Sequence, residues 1–241
     1  MLKSKMFRKY FSGYMICLFV LCACGRNDIV IPEDNYDTSE ENEIVQMDWV
    51  ANLRVAEETN QILVVAAKGD SAEVSLHEKD DKGIWKEVLS TEADIGRNGI
   101  GKTKEGDGKT PTGVYNFTFA FGIKDNPGTN FEYVEVDDSH YWVDDSSSKY
   151  YNQFVSIKDV EKDWDSAEHI MSAEESYHYV LATDYNAKCE PGVGSAIFMH
   201  CTPTGGAGCI AISEESMVDI LRSIKQDCVL IIDDEVNIYS Y

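Results

Sequence analysis

The residues best suited to chemistry lie in one short stretch, His200-Cys-Thr-Pro-Thr-Gly-Gly-Ala-Gly-Cys-Ile-Ala-Ile212. His200 ends an apolar run and Cys209 follows a glycine-rich turn, so the two residues bracket one loop. A loop whose ends close on each other brings imidazole and thiol within hydrogen-bond reach, as a thiolate–imidazolium pair requires. Glycines before the thiol let a substrate carbonyl approach the backbone N–H groups of Gly208 and Cys209, an arrangement suited to an oxyanion hole. The pattern predicts Cys209 as nucleophile and His200 as general base.

Three other roles for Cys209 remain open from the residues alone. Zinc would have to use His200, Cys201 and Cys209, which are too few well-spaced ligands, and no CxxC or HExxH motif is present. A disulfide between Cys201 and Cys209 would suit an exported protein. An inert thiol would suit a residue type that often packs as a small hydrophobe. We predict no metal and no cofactor.

The elements that must position this loop are mainly strands. Apolar or alternating runs bounded by turn residues predict strands, which are Ile62–Ala66, Ala72–His77, Ile84–Leu89, Val114–Phe119, Tyr177–Ala182, Ala196–His200 and Val229–Ile232. The spacing of apolar residues in Asp48–Glu57, with Asp48 placed to cap, predicts a short helix. The Ser213 cap with the stripe Met217, Ile220, Leu221 and Ile224 predicts a helix near residues 213–225. We therefore expect a β-rich α+β domain, mostly antiparallel and curled around a core.

Two further segments were weighed for function. Residues 96–113 are glycine-rich, but the GxxxxGK[ST] motif is absent and a β-like run follows, which argues against nucleotide binding. Residues 131–151 are rich in aromatic and acidic side chains. Such a segment suits the wall of a groove for a peptide or sugar chain, but half-buried strands and turns are the favoured interpretation.

The N-terminus predicts export. Residues 1–23 carry four basic and no acidic side chains and contain an apolar run too short to span a bilayer permanently, as in a signal peptide. The end, Leu21-Cys-Ala-Cys-Gly25, resembles the bacterial lipobox, which implies lipidation of Cys24. Ordinary signal cleavage and free secretion is the alternative. Residues 24–47 are acidic and polar and predict a flexible tether, which leaves residues 48–241 as a single domain.

Charge limits the partners. The chain has a formal net charge of −22 at pH 7, and loss of residues 1–23 makes the balance more negative still. A polyanion would be repelled by this field, so nucleic acid is not an expected partner. The seven cysteines include Cys17 and Cys22 in the predicted signal, so too few remain for a dense disulfide scaffold.

Together these segments resemble the L,D-transpeptidases, cysteine enzymes of the bacterial cell wall. The run Ala196-Ile-Phe-Met-His200 is similar to the strand that ends in the family's base histidine, and Gly208-Cys-Ile210 is similar to its nucleophile turn. The loop Glu105-Gly-Asp-Gly-Lys-Thr-Pro-Thr-Gly-Val-Tyr115 resembles a segment that the family carries upstream. The resemblance covers about residues 62–232. This chain departs from the family pattern by having Gly206 and Ala207 in place of Ser/Thr-His before Gly-Cys, and Ala211 where Arg or Asn often stands.

The resemblance implies a β-rich fold and a reaction with peptidoglycan stem peptides. Cys209 would attack the carbonyl of the third residue of a tetrapeptide stem, His200 would shuttle the proton, and an amine would resolve the thioester into a 3→3 cross-link. Arg97 is a candidate for binding a substrate carboxylate, and His140 or His169 could replace His200 as base. The predicted protein is thus a membrane-tethered L,D-transpeptidase of the cell envelope. An L,D-carboxypeptidase and a non-catalytic cell-wall-binding lipoprotein are the alternatives.

Overall fold

The computed structural model describes residues 48–201 and 206–241. The predicted signal peptide (1–23), the lipidated Cys24 and the tether (24–47) lie outside the described residues. No helix in the described part of the chain is long and apolar enough to cross a membrane.

The described residues form twelve strands and one α-helix. The strands are β1 (Gln61–Lys68), β2 (Ser71–Lys79), β3 (Trp85–Asp94), β4 (Gly113–Gly122), β5 (Tyr133–Glu135), β6 (His140–Val143), β7 (Phe154–Ser156), β8 (Ala167–His169), β9 (Val180–Thr183), β10 (Phe198–Cys201), β11 (Ile210–Ile212) and β12 (Val229–Asp234). The helix is α1 (Glu214–Ser223). Short 3₁₀ helices span Trp49–Asn52, Arg54–Glu57, Ile170–Ala173 and Ile238–Ser240.

Nine strands form one sheet in the order β12-β1-β2-β3-β11-β10-β9-β4-β5, and β12 also pairs with β4. This second pairing closes the sheet into a barrel. Three neighbouring pairs are parallel: β1 with β12, β10 with β11, and β4 with β5. The β-rich α+β class is confirmed, but the sheet closes on itself instead of forming a curled sheet or sandwich. Closure depends on pairing between strands distant in sequence, which local patterns do not encode.

The barrel interior is the main core, because alternate residues of each strand point inward. Leu63, Leu76, Leu181 and Met199 contribute to this core, and α1 packs its apolar stripe into it. The opposite faces of β4, β9 and β10 belong to a second cluster that includes Phe121, Val180 and Phe198. The strands next to the candidate catalytic loop are therefore buried on both faces.

The two predicted helices differ in how well they match the structure. Ser213 caps α1 by accepting a hydrogen bond from the Ser216 N–H at 3.1 Å, and the helix ends at Ser223, two residues before the predicted end. Near the start of the domain, Asp48 caps Trp49–Asn52 as expected, but two 3₁₀ segments replace one helix. The backbone N–H of Leu53 bonds back to the Val50 carbonyl and Leu53 itself is extended, which separates the two segments.

The aromatic segment contributes to a small sheet of order β7-β6-β8 that covers the second cluster. Trp142 of β6 packs edge-on against Phe198 at 4.6 Å between ring centroids, and its indole N–H donates to Asn152 Oδ1 at 3.0 Å. Trp142 is buried. The interpretation of this segment as half-buried strands is confirmed for β6.

Candidate active site

Cys209 and His200 lie on adjacent parallel strands. The register of β10 and β11 pairs Met199 with Ile210 and His200 with Ala211, so Cys209 lies one residue before β11 and opposite Phe198. Because side chains alternate along a strand, Cys209 and His200 project from the same face of the sheet. Both residues line a cavity of about 640 Å³ between the barrel and the small sheet. The pairing of β10 with β11 thus places the thiol on the same side of the sheet as the histidine.

The thiol of Cys209 is held by the backbone. It donates to the Ala196 carbonyl at 3.1 Å and accepts from the Phe198 N–H at 3.4 Å. Ala196 itself has a φ of +53°, a conformation uncommon for a non-glycine residue and often found at functional sites. The side chain is 8% exposed. Burial, followed by the negative charge of Glu168, raises the pKa of Cys209 to about 12, so the resting residue is a neutral thiol.

His200 is 7% exposed and is oriented by its own strand. Its Nδ1 lies 3.1 Å from the Cys201 carbonyl oxygen, which can only accept, so Nδ1 carries the proton and Nε2 keeps its lone pair. Burial lowers the pKa of His200, which keeps the imidazole neutral and able to act as a base. The ring of Tyr177 packs edge-on against the imidazole at 5.7 Å between centroids.

The two candidate catalytic side chains share a cavity but are not hydrogen-bonded to each other. The thiol bonds to Ala196 and Phe198, and the only hydrogen bond of the imidazole among the described residues is the one to Cys201. The expected thiolate–imidazolium pair is therefore not the resting state. The physical reason is burial, which disfavours both charged forms.

The turn before Cys209 requires glycine. Gly208 has a φ of +151°, and a Cβ at this position would lie 2.5 Å from the Lys109 carbonyl oxygen. Among the described residues, the N–H groups of Gly208 and Cys209 have no hydrogen-bond acceptor, as an oxyanion hole requires. Close packing of this turn on the glycine-rich loop therefore fixes the direction of both candidate donors.

That loop is itself fixed by a buried ion pair. Lys102 Nζ lies 3.2 Å from Asp107 Oδ1, and both side chains are almost completely buried. Burial opposes the charge of Asp107, but backbone N–H groups of Thr103, Lys104 and Lys109 outweigh it and lower its pKa to about 2. Lys102 also lines the cavity, where its positive charge favours a thiolate at Cys209.

Arg97 is placed differently from Lys102. Its side chain is exposed and lies beside Gly108, and Arg97 is not among the residues that line the cavity. Its backbone N–H donates to the Gly206 carbonyl at 3.2 Å, which connects the glycine-rich loop to the turn before the thiol. The cation that reaches the cavity is Lys102, which the sequence analysis missed. The signal that could have indicated Lys102 is its place in the glycine-rich residues 96–113, shortly before the stretch from Glu105 that resembles the family segment.

The alternative histidines are less suited to act as base. His169 lines the cavity, but Nδ1 bonds to Ser172 Oγ at 2.8 Å and Nε2 to the Asp138 carbonyl at 3.0 Å. His140 stacks on Phe154 and does not line the cavity. Of the three histidines considered, only His200 has a ring nitrogen in the cavity with no partner among the described residues.

Three carboxylates also line the cavity and were not identified as site residues from the sequence: Glu105, Asp144 and Glu168. Glu105 accepts from Tyr151 Oη at 2.6 Å and from Ser195 Oγ at 2.9 Å. Glu168 accepts from the Tyr177 hydroxyl through Oε2. Burial, and then the charges of Asp144 and Glu105, raise the pKa of Glu168 despite this hydrogen bond. No local signal marks these residues, because they come from three distant segments.

A disulfide and a metal site are the other roles of Cys209 on which the structure bears. Cys189, Cys201, Cys209 and Cys228 are all free. Cys201 points into the barrel core and Cys209 into the second cluster, so a disulfide between them is wrong. Among the described residues, no group of three or more His, Cys, Asp or Glu side chains is arranged to hold a metal ion.

Comparison with known proteins identifies the family of the chain. The family model of the YkuD L,D-transpeptidase catalytic domain matches residues 64–232, and the chain belongs to this family. No curated protein matches the sequence. The structure is similar to the crystal structure of the helical cell shape determining protein Pgp2 from Campylobacter jejuni, with 16% sequence identity and a TM-score of 0.40. The similarity covers 78% of this chain and 56% of that chain, so this chain spans little more than half the length of its structural relative.

Proposed function

We propose that this protein is a peptidoglycan L,D-transpeptidase that uses Cys209 as nucleophile and His200 as general base and acid. One observation carries the proposal. Within a domain of this family, the thiol and an imidazole whose Nε2 has no partner among the described residues project from the same face of paired strands into one cavity of about 640 Å³. A cavity of this size is within the range that accommodates a peptide segment.

The first step couples proton transfer to attack, because the resting thiol is neutral. His200 Nε2 takes the thiol proton as Sγ forms a bond to the carbonyl carbon of the third stem residue. The thiol must leave the Ala196 carbonyl for this transfer, and the charge of Lys102 favours the thiolate that develops. The N–H groups of Gly208 and Cys209 stabilise the oxyanion.

The second step releases D-alanine. The bond from the carbonyl carbon to the amine nitrogen breaks, and the proton on His200 Nε2 passes to the departing amine. A thioester on Cys209 remains. The amine of a neighbouring stem then attacks the thioester carbonyl as His200 Nε2 takes a proton from it, and the bond from the carbonyl carbon to Sγ breaks. The proton passes from His200 to Sγ, which completes the 3→3 cross-link and regenerates the thiol.

The proposal is tested by acylation with a carbapenem, whose strained β-lactam carbonyl is an acyl donor for a nucleophilic thiol. Intact-protein mass spectrometry should show one adduct on the wild type and none on Cys209→Ala. Cys189→Ala is the matched control, because Cys189 is the most exposed of the four described cysteines. An adduct that is lost in Cys189→Ala and kept in Cys209→Ala would contradict the assignment.

A non-catalytic cell-wall-binding protein is the second candidate. The observation in its favour is the neutral thiol bonded to the Ala196 carbonyl, with no bond to His200. A wild-type protein that never acylates, yet binds purified peptidoglycan sacculi in a pull-down, would establish this candidate.

The nucleophile of the final step separates a transpeptidase from an L,D-carboxypeptidase. We expect the mass spectrum of muropeptides incubated with the protein to contain cross-linked dimers that lack one D-alanine. Trimmed monomers alone would show that water resolves the thioester and would favour the carboxypeptidase.

We also propose that the chain is exported and anchored at the outer face of the bacterial membrane through lipid on Cys24. The basic start, the apolar run and the Leu21-Cys-Ala-Cys-Gly25 sequence support this proposal. Metabolic labelling with an alkyne fatty acid should modify the wild type and not Cys24→Ala. Labelling of both proteins would place the lipid elsewhere.

A further inference from the structure

The cavity that holds Cys209 carries an excess of negative charge. Glu105, Asp144 and Glu168 line it, and none of them lies within ion-pair distance of a cation in the described chain. Lys102 is the lysine at the cavity, and Asp107 already neutralises it at 3.2 Å. The hydrogen bonds of Glu105 and Glu168 come from neutral hydroxyl groups, so neither carboxyl group has a cationic partner among the described residues.

Several acceptor atoms in the same cavity lack a donor. Asp144 Oδ1 is buried and has no hydrogen-bond partner among the described residues. Glu168 uses only Oε2, and His200, 7% exposed, leaves Nε2 unbonded in that part of the chain. Buried acceptors are nearly always satisfied in native proteins, so the buried Asp144 Oδ1 points to a ligand that brings a donor, and the other open acceptors line the same cavity.

The positions of the three carboxylates are built into the fold. Glu168 on β8 pairs with Trp142 on β6, and Asp144 follows two residues after Trp142, so the alternation of side chains places both acids on one face. Glu105 comes from the glycine-rich loop on the other side and is held there by Tyr151 and Ser195. Burial first, and then the charges of Asp144 and Glu105, raise the pKa of Glu168, as expected for three carboxyl groups that line one cavity.

We propose that Asp144, Glu105 and Glu168 form a subsite for the primary ammonium group of a peptide substrate. An ammonium has three N–H donors and a compact positive charge, which matches unfilled acceptors and uncompensated carboxylates. A metal ion fits less well, because the described side chains show no cluster of ligands arranged to hold one. The proposal rests on the proposed function only for the nature of the peptide. Its amine comes from the side chain of the third donor residue or from the acceptor stem.

Binding to the Cys209→Ala full-length chain tests the subsite without turnover. The probes are the N-terminally blocked tetrapeptide Nα-acetyl-L-alanyl-γ-D-glutamyl-L-lysyl-D-alanine, whose one primary amine is the lysine Nε, and the same peptide with that Nε acetylated, compared by isothermal titration calorimetry. Loss of one charge-assisted hydrogen-bonded contact corresponds to about tenfold or more in affinity. We expect the free amine to bind at least about tenfold more tightly, and equal affinity of the two peptides would overturn the proposal.

Asp144→Asn in the Cys209→Ala background should reduce this preference to about threefold or less, because an isosteric amide removes the charge. Glu174→Gln is the matched control, since Glu174 is exposed and does not line the cavity, and it should keep the full preference. An undiminished preference in Asp144→Asn would also overturn the proposal.

The source of the amine is found by repeating the titration on wild-type protein already acylated by a carbapenem, which occupies the donor position. If the acylated protein no longer prefers the free amine, the subsite binds the side chain of the donor. If the preference persists in the acylated protein, the subsite binds the amine of the acceptor. If the carbapenem forms no adduct, the proposed function fails while the binding test on Cys209→Ala still decides the subsite. If the adduct forms and the peptides bind equally, only the subsite fails.

Discussion

The molecule places a buried histidine beside a nucleophilic side chain in two regions, and only one of them has the features of an active site. On β2, Ser75 Oγ lies 2.8 Å from His77 Nε2, and His77 Nδ1 lies 2.7 Å from Asp48 Oδ2. This is the connectivity of a Ser-His-Asp triad. In the cavity, Cys209 and His200 have no bond to each other at all.

The two histidines differ in how many of their ring nitrogens are hydrogen-bonded to other described residues. Both nitrogens of His77 are occupied, Trp49 packs edge-on against its ring, and the imidazole is fully buried. Asp48 also caps the first 3₁₀ segment, so the network fastens the start of the domain to β2. His200 bonds through Nδ1, and its Nε2 has no partner within residues 48–201 and 206–241, so it can act as a general base in the cavity.

The backbone around each nucleophile differs as well. Ser75 lies in the middle of β2 and is paired with Val64 on one side and Ser90 on the other, which commits its backbone to the sheet. Cys209 follows a glycine turn in which two adjacent N–H groups have no acceptor among the described residues. In the part of the chain that the structure describes, two N–H donors without acceptors and an imidazole Nε2 without a partner therefore distinguish the thiol site. Hydrogen-bond connectivity alone would have selected the serine.

Replacing each histidine by glutamine should give the largest difference between the two regions, measured as the rate of carbapenem acylation. His200→Gln removes the base, so the rate of carbapenem acylation should fall by about 10²- to 10⁴-fold. His77→Gln should leave that rate within about threefold, because the residue lies outside the cavity. Time-resolved intact mass spectrometry measures both rates. Rapid acylation of a folded His200→Gln variant would assign the base to another residue.

The next effect concerns the turn that supports the thiol. In Gly208→Ala the added methyl group would meet the Lys109 carbonyl at 2.5 Å, and the φ of +151° disfavours any side chain. We expect acylation to slow at least about tenfold and the free energy of unfolding to drop by about 2 kcal/mol or more. Gly206→Ala is the control, because nothing lies within 4 Å of a Cβ there. Equal behaviour of the two variants would mean that the turn does not fix the donors.

Disruption of the hydrogen-bonded network of Ser75, His77 and Asp48 should affect stability and not the rate of acylation. Ser75→Ala leaves the buried His77 Nε2 without its hydroxyl partner, which should lower the free energy of unfolding by about 1–3 kcal/mol. Urea denaturation followed by circular dichroism measures the loss, and acylation of Cys209 should not change. A fluorophosphonate that labels the wild type and not Ser75→Ala would break the comparison, because it would show a reactive serine.

The sequence predicts those parts of the two regions that depend on short-range patterns. The strand before His200, the Ser213 cap and the glycine turn follow from short-range periodicity and backbone preference. Asp48 was predicted as a cap, but its bond to His77 depends on how the N-terminal segment packs across β2. Barrel closure and the meeting of Glu105, Asp144 and Glu168 depend on the register of distant strands, which no local signal in the sequence contains.

The smallest expected effect is the contribution of His200 to the pH dependence of the free energy of unfolding. Burial lowers the pKa of folded His200 below its ordinary value of 6.5, so the unfolded chain binds more protons as the pH falls through this range. Stability contributed by neutral His200 is therefore present above about pH 6.5 and is lost progressively below it.

Urea denaturation at pH 7.5 and 5.5 tests this assignment. Because other groups also titrate there, the informative quantity is the difference between wild type and His200→Gln. The wild type should lose more free energy of unfolding on acidification than the variant, since glutamine has no proton to bind. Parallel losses would mean that the imidazole is as easily protonated when folded as when unfolded. His200 would then enter the reaction partly as imidazolium, and the distinction between a neutral base at the thiol and a fully bonded histidine on β2 would weaken.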